Sequence, residues 1–240
     1  MRGIFYGVGV GPGDPEYMTL KAVRVLGLCP VLAVPRTDGK HSEALEIASK
    51  AVDLSGKEIL FLDFLMTRDE KSAARRHREL AGSVAEKLDA GENVAMLNLG
   101  DPSLYASCGY LREILKERGY ETKTVAGVTS FCACAAKLGV SLTEARLPLR
   151  IVPGDYPELD RELAAPGTKA VMKSGREIDR VRRAVERGGF PAAAVENCGM
   201  PDERVCACLK DAGGAYFTTV LVGEAPEGKK RPKSKTEGNR

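Results

Sequence analysis

Gly7-Val8-Gly9-Val10-Gly11-Pro12-Gly13-Asp14-Pro15 is the stretch on which the fold turns. The apolar run Gly3 to Val10 before it reads as a strand, and Thr19 to Leu28 after it reads as a helix. Four glycines in seven residues, with Pro12 and Pro15, exceed what a plain tight turn needs. Glycine lets backbone approach a ligand closely, so this strand-to-helix loop is a candidate site wall. It is not a dinucleotide fingerprint. Counted from Gly7, G-x-G-x-x-G puts Pro12 at the third glycine; counted from Gly9, it puts Asp14 there. Pro12 also lacks the N–H donor of a phosphate cradle, and no Gly-Lys-Ser/Thr ending makes a P-loop.

Working outward, strand and helix signals alternate. Val31 to Val34 and Glu58 to Leu62 read as strands around a helix over Ser42 to Val52. Asp69 to Ala90 is a long helix closed by Gly91, Asn93 to Leu99 a buried strand, and Leu104 to Arg118 a helix ending at Gly119. Thr122 to Val125 is a strand and Ser130 to Leu138 a helix. This rhythm predicts a mostly parallel sheet covered by helices, with ligands at the carboxyl ends of its strands. Two prolines and a glycine in Leu147-Pro148-Leu149-Arg150-Ile151-Val152-Pro153-Gly154 read as a linker. Beyond it, strands at Lys169 to Met172, Ala192 to Glu196, Val205 to Leu209 and Tyr216 to Val222, with a helix over Glu177 to Arg187, predict a second, smaller sheet with hairpin-like last strands. The expected fold class is α/β, with two α/β domains and a cleft between them. Their bounds are 1–148 and 149–226, followed by a disordered basic tail at 227–240.

Two further loops share the strand-to-helix position. In Asn98-Leu99-Gly100-Asp101-Pro102-Ser103-Leu104-Tyr105, Asp101 can accept hydrogen bonds from a ribose or an amine, or simply cap the helix that Pro102 would start. In Ala126-Gly127-Val128-Thr129-Ser130-Phe131, Thr129 or Ser130 caps a helix whose free N–H groups could hold a carboxylate. Two later segments complete the set: the dense turn Glu196-Asn197-Cys198-Gly199-Met200-Pro201-Asp202-Glu203-Arg204-Val205, and Tyr216-Phe217-Thr218-Thr219-Val220, a strand that would carry polar side chains beside the cleft.

Composition excludes several classes. Net charge is +3, and the stretch 227–240 alone holds six Lys/Arg against two Asp/Glu, so the body is near neutral and lacks the basic groove an RNA or DNA substrate wants. No stretch approaches the ~18 apolar residues of a membrane span, and the N-terminus runs straight into a strand pattern, so the cytoplasm is the expected compartment. Seven cysteines in 240 residues are not a disulfide framework. Cys132/Cys134 and Cys206/Cys208 lack C-x-x-C spacing and nearby histidines, which favours packing over a metal site; none is expected. A cysteine-based redox or metal sensor is the alternative from a different class.

Taken together, V-G-x-G-P-G-D-P, G-D-P-x-x-Y and the G-V-T-S-F helix start resemble the tetrapyrrole (corrin/porphyrin) methylase family, over Gly3 to about Val222. Asn197-Cys198-Gly199-Met200-Pro201-Asp202-Glu203-Arg204 with Tyr216 to Thr219 is similar to its precorrin-2 / cobalt-factor II carbon-20 methyltransferase branch. One departure is Ala126, where the family usually has proline.

The resemblance implies S-adenosyl-L-methionine as cofactor, bound folded between the domains of a homodimer, and a tetrapyrrole as substrate. Pro12, Gly100, Asp101, Tyr105, Thr129, Ser130, Met172, Cys198 and Gly199 would hold the cofactor. Gly11, Thr218 and Thr219 would face the substrate, and Asp14, Asp101 and Tyr105 are the candidate bases. A polycarboxylate ring also calls for cations. The cluster Arg68, Lys71, Arg75, Arg76, His77 and Arg78 is the best sequence candidate, with Arg75 and Arg76 at its centre; a solvated helix face is the other reading. Another corrin-ring or sirohaem-pathway methylase is the alternative within the family, and an RNA ribose or diphthamide methylase could share the first three motifs.

Overall fold

A computed structural model describes residues 1–36, 41–65, 67, 69–144 and 146–224. The basic tail and Arg68 therefore lie outside the described residues. The chain divides into two compact units, Met1–Ser130 and Phe131 onward.

The first unit is a five-stranded parallel sheet in the order β3-β2-β4-β1-β5. Its strands are β1 (Phe5–Gly9), β2 (Val31–Arg36), β3 (Glu58–Asp63), β4 (Val94–Asn98) and β5 (Thr122–Val125). Strand alternation divides their side chains between two cores. Phe5, Val31, Ala33, Val94 and Met96 face α3 (Glu70–Asp89) and α4 (Cys108–Glu117). Val8, Leu32, Val34, Ala95 and Leu97 face α1 (Leu20–Leu28) and α2 (Glu43–Ala51). The helix after β1 and the helix after β4 thus cover opposite faces, although the two strands are neighbours. That makes the carboxyl end of the β1–β4 pair a topological switch point, where open parallel sheets bind ligands.

Local signals set the helix ends. Thr19 caps α1 by accepting from the Ala22 N–H at 3.1 Å, and Asp69 caps α3 through Lys71 and Ser72. α4 begins at Cys108 rather than Leu104, because Tyr105 has φ +51°, outside the helical region. Pro102 consequently lies in a turn and starts no helix.

The second unit, in which most of α5 (Ser130–Leu138) lies, holds a five-stranded mixed sheet in the order β6-β7-β10-β8-β9. It has as many strands as the first sheet. β6 (Leu149–Pro153) is a strand in the stretch expected to be a linker. As an edge strand it tolerates Pro153 at its end, since no ladder bond is lost there. The others are β7 (Thr168–Met172), β8 (Ala192–Glu196), β9 (Arg204–Cys206) and β10 (Thr218–Val222). β9 and β10 do not pair with each other; β8 lies between them, antiparallel to both. α6 (Leu159–Ala164) and α7 (Ile178–Gly188) pack on this sheet around Leu163, Val171, Val181 and Val220.

Candidate active site

In the first unit, the loops after β4, β1 and β5 lie on three adjacent strands and close on one another. Gly11 and Gly100 form an antiparallel bridge in which the Gly100 N–H donates to the Gly11 carbonyl at 2.7 Å. The Val10 N–H donates to the Asn98 carbonyl at 2.9 Å. Contact is closest between Gly9, Gly100 and Gly127. A Cβ on Gly9 would lie 2.6 Å from the Gly100 carbonyl oxygen, and a Cβ on Gly127 only 2.1 Å from it. Neither position admits a side chain, which is the physical reason for glycine in both motifs.

Asp101 binds these loops together. Its Oδ1 accepts the Ser103 N–H at 2.8 Å and the Ser103 hydroxyl, and its Oδ2 accepts the Gly127 N–H at 2.8 Å. Partial burial works against its ionised form, but these bonds outweigh it and hold the carboxyl below its usual range. Asp101 is therefore a loop clamp, not the cap of α4. Asp14 starts a single 3-10 turn, Pro15–Tyr17, by accepting the Glu16 N–H at 2.9 Å.

Thr129 does not cap α5. Its Oγ1 is buried and has no hydrogen-bond partner. Orphaned buried hydroxyls are costly, and this one stands beside the Asp101–Gly127 clamp in sequence. The unspent donor and acceptor capacity of Thr129 fits a polar ligand, as the methionine end of S-adenosylmethionine is.

The outer strands of the first unit end in charge. Arg36 donates to Asp63 from Nε at 2.6 Å and from Nη2 at 3.2 Å, and its guanidinium lies 4.3 Å over the Phe61 ring. Arg76 Nε donates to the Asp63 carbonyl at 2.9 Å and pairs with Glu79 at 3.2 Å. Arg75 is exposed, with Glu79 at 3.8 Å. His77 stacks on Tyr110 at 4.4 Å, and burial lowers its pKa. Arg76 thus stands beside the Arg36–Asp63 pair, and Arg75 lies on the exposed face of the same helix. Arg36 carries no mark in the linear sequence, because its carboxylate partner depends on which strand pairs with β2.

The second unit has two turns with left-handed backbone at Lys173 and Asn197. The Gly154 N–H donates to the Met172 carbonyl at 2.8 Å, and Lys173 next to it has φ +55°. Asn197 has φ +50° and donates from Nδ2 to Asp202 at 2.6 Å; the Gly199 N–H donates to Glu203 at 2.6 Å, which pairs with Lys137 at 3.1 Å. Cys198 is buried against Cys134; contact with that neighbour lowers the Cys198 thiol and raises that of Cys134.

Glu196, unflagged by the sequence, is a hub. It is 1% exposed and accepts the N–H groups of Gly214 at 2.6 Å and Ala215 at 2.9 Å, with Arg204 at 3.0 Å. Burial opposes its charge, yet these groups hold it below its usual range. Thr218 and Thr219, expected to face a ligand, are buried. The Thr218 hydroxyl donates to the Ala215 carbonyl at 2.6 Å, so it closes that turn instead.

Among the described residues no group of three or more His, Cys, Asp or Glu could hold a metal ion, and no helix is long and apolar enough to cross a membrane.

The family model for tetrapyrrole (corrin/porphyrin) methylases matches residues 5–211. The chain belongs to that family. Its methylase relatives include a precorrin-2 C(20)-methyltransferase of a Sinorhizobium species, 32% identical over 96% of this chain and 98% of that one. A probable cobalt-precorrin-2 C(20)-methyltransferase of Methanocaldococcus jannaschii is 36% identical over 83% of this methylase and 85% of its own length. The cobalamin biosynthesis protein CobIJ of Mycobacterium tuberculosis is 33% identical over 96% of this chain, which spans 47%, about half, of that relative's length. Among solved structures, a cobalt precorrin-4 methyltransferase shares the fold with a TM-score of 0.73 at 22% identity, over 92% of this chain and 94% of that one. A uroporphyrin-III C-methyltransferase from Thermus thermophilus, complexed with S-adenosylhomocysteine, gives 0.67 at 25% identity over 92% of each chain. The α/β class expected from the strand–helix rhythm is that of this methylase fold.

Proposed function

We propose that this methylase transfers the methyl group of S-adenosyl-L-methionine to carbon-20 of precorrin-2 or cobalt-factor II in cobalamin biosynthesis, as a cytoplasmic homodimer. The observation that carries the proposal is the end-to-end match to a relative named for that reaction on precorrin-2. The three interlocked loops at the switch point support it, as does the uroporphyrin-III methyltransferase that holds S-adenosylhomocysteine.

The sulfonium of the cofactor supplies an already activated methyl group, so the protein's work is placement. Thr129 and Ser130, at the start of α5, would receive the methionine end, with Pro12, Gly100, Asp101 and Tyr105 lining the loops. Asp101 acts there by fixing the loop geometry. Met172, Cys198 and Gly199 would offer backbone groups to the adenosine. Gly11, Arg75 and Arg76 would meet the ring substrate, and Asp14 or Tyr105 would take the ring proton.

Incubation with labelled S-adenosylmethionine and either tetrapyrrole, followed by location of the new methyl group, tests the proposal. Methylation at carbon-20 is expected. No transfer to either ring overturns it, and transfer to another ring carbon replaces it with a different corrin-ring activity. Light scattering checks the dimer.

A further inference from the structure

We infer that Arg36, at the carboxyl end of β2, is a substrate-binding residue that grips a carboxylate arm of the tetrapyrrole; this rests on the function proposed above. Its guanidinium is already oriented. Asp63 occupies one edge through Nε and Nη2, and Phe61 covers one face at 4.3 Å. A guanidinium has five N–H groups, and this edge-on pairing uses two of them. The end formed by Nη1 and the second Nη2 hydrogen keeps the fork geometry that matches a second carboxylate. The side chain is 24% exposed, so part of it reaches solvent.

Register places the fork on the active edge of the sheet. Ala33 is level with Met96, and Met96 is level with Gly7. Arg36, Leu99 and Val10 each stand three residues further along, where the Gly11–Gly100 bridge begins. β2 and β1 are separated by β4 alone, and β2 pairs with β4 as far as Ala33, so Arg36 stands at least about 10 Å across the sheet from the glycine loop. A macrocycle with acetate and propionate arms spans such a distance. S-adenosylmethionine carries a single carboxylate, whereas the ring carries several, so a second anion grip apart from the Thr129 loop fits the ring. Arg76, tied to the Asp63 carbonyl, adds a second cation beside the fork.

The test compares wild type with Arg36→Ala and Arg36→Lys. Ring affinity is read by absorbance titration with cobalt-factor II in the presence of S-adenosylhomocysteine, cofactor affinity by calorimetry with S-adenosylhomocysteine alone, and turnover by methyl transfer. For Arg36→Ala, the ring Kd and KM are expected to rise about tenfold or more, as for the loss of one charge-assisted pair. Cofactor Kd and kcat at saturating ring should stay within twofold. Arg36→Lys, which keeps charge without the fork, should recover only part of the loss. An unchanged ring Kd in Arg36→Ala, with wild type binding and methylating the ring, overturns the Arg36 assignment alone. A cofactor Kd that moves with the ring Kd also overturns it, because Arg36 would then be acting through the fold. Wild type that binds S-adenosylhomocysteine but neither binds nor methylates the ring overturns the proposed function, and this assignment with it.

Discussion

Asp101 Oδ2 accepts the Gly127 N–H at 2.8 Å, joining two loops that are 26 residues apart in sequence. The bond turns a Gly-Asp-Pro motif and a Gly-Val-Thr-Ser motif into one wall. Asp101→Ala leaves a part-buried N–H unpaired and releases both loops. We expect a loss of about 1–2 kcal/mol in urea unfolding and S-adenosylhomocysteine affinity weakened at least tenfold. Because the folded-state pKa of Asp101 is lowered, the clamp is intact above the unfolded value of about 4 and is lost as pH falls through the folded value. Asp101 should therefore add no limb to the activity profile between about pH 5 and 9.

The glycine contact predicts a sharp contrast. Gly127→Ala pushes a methyl against the Gly100 carbonyl and should cost about 3 kcal/mol or abolish soluble expression. Gly82, in the middle of α3, has nothing within 4 Å of an added Cβ. Gly82→Ala should raise stability by up to about 1 kcal/mol. Thermal melts of the two variants check both signs.

Thr129 separates ligand binding from folding. Thr129→Val removes an orphaned buried hydroxyl, so the ligand-free protein should gain about 1 kcal/mol. Cofactor affinity should fall about tenfold, while Thr129→Ser should retain it. Calorimetry beside urea titration reads both. A Thr129→Val protein that binds as well as wild type would remove the hydroxyl from the cofactor site.

Glu196 predicts an acid-sensitive second unit. Its folded-state pKa is lowered, so its contribution is full above the unfolded value near 4.3 and disappears as pH falls through the folded one. Glu196→Ala leaves the Gly214 and Ala215 N–H groups unpaired and should cost about 2 kcal/mol at pH 7. Glu196→Gln should cost less, because its carbonyl oxygen still accepts. Urea midpoints measured from pH 3 to 7 should show the wild-type advantage over Glu196→Ala shrinking as acid is added.

Much of this protein is legible in the chain because its signals are local. Alternating strand and helix periods announced the first sheet, and Gly91 and Gly119, both with positive φ, marked where their helices stop. The glycine loops and their order carried the family. Local signals misled where the outcome depends on a neighbour. Leu149–Pro153 looks like a linker until β7 pairs with it, and Pro153 is harmless only because that strand ends at an edge. Tyr105 gave no sign that it would take a left-handed backbone and delay α4. Asp101, read alone, looks first like a helix cap; only the meeting of two loops made it a clamp. Glu196 and Arg36 look like ordinary surface charges, because nothing in a linear pattern says which N–H groups or carboxylates will surround them.

Pattern and propensity in the sequence determined the class of fold, the position of the three loops and the family. Tertiary structure alone decided which side chains are spent on the scaffold and which remain for ligands. Thr218 and Asp101 fell to the first use, while the Thr129 hydroxyl is left without a protein partner. Hydrogen-bond capacity is finite, and its allocation depends on groups far apart in sequence that only the folded chain brings within 3 Å or so.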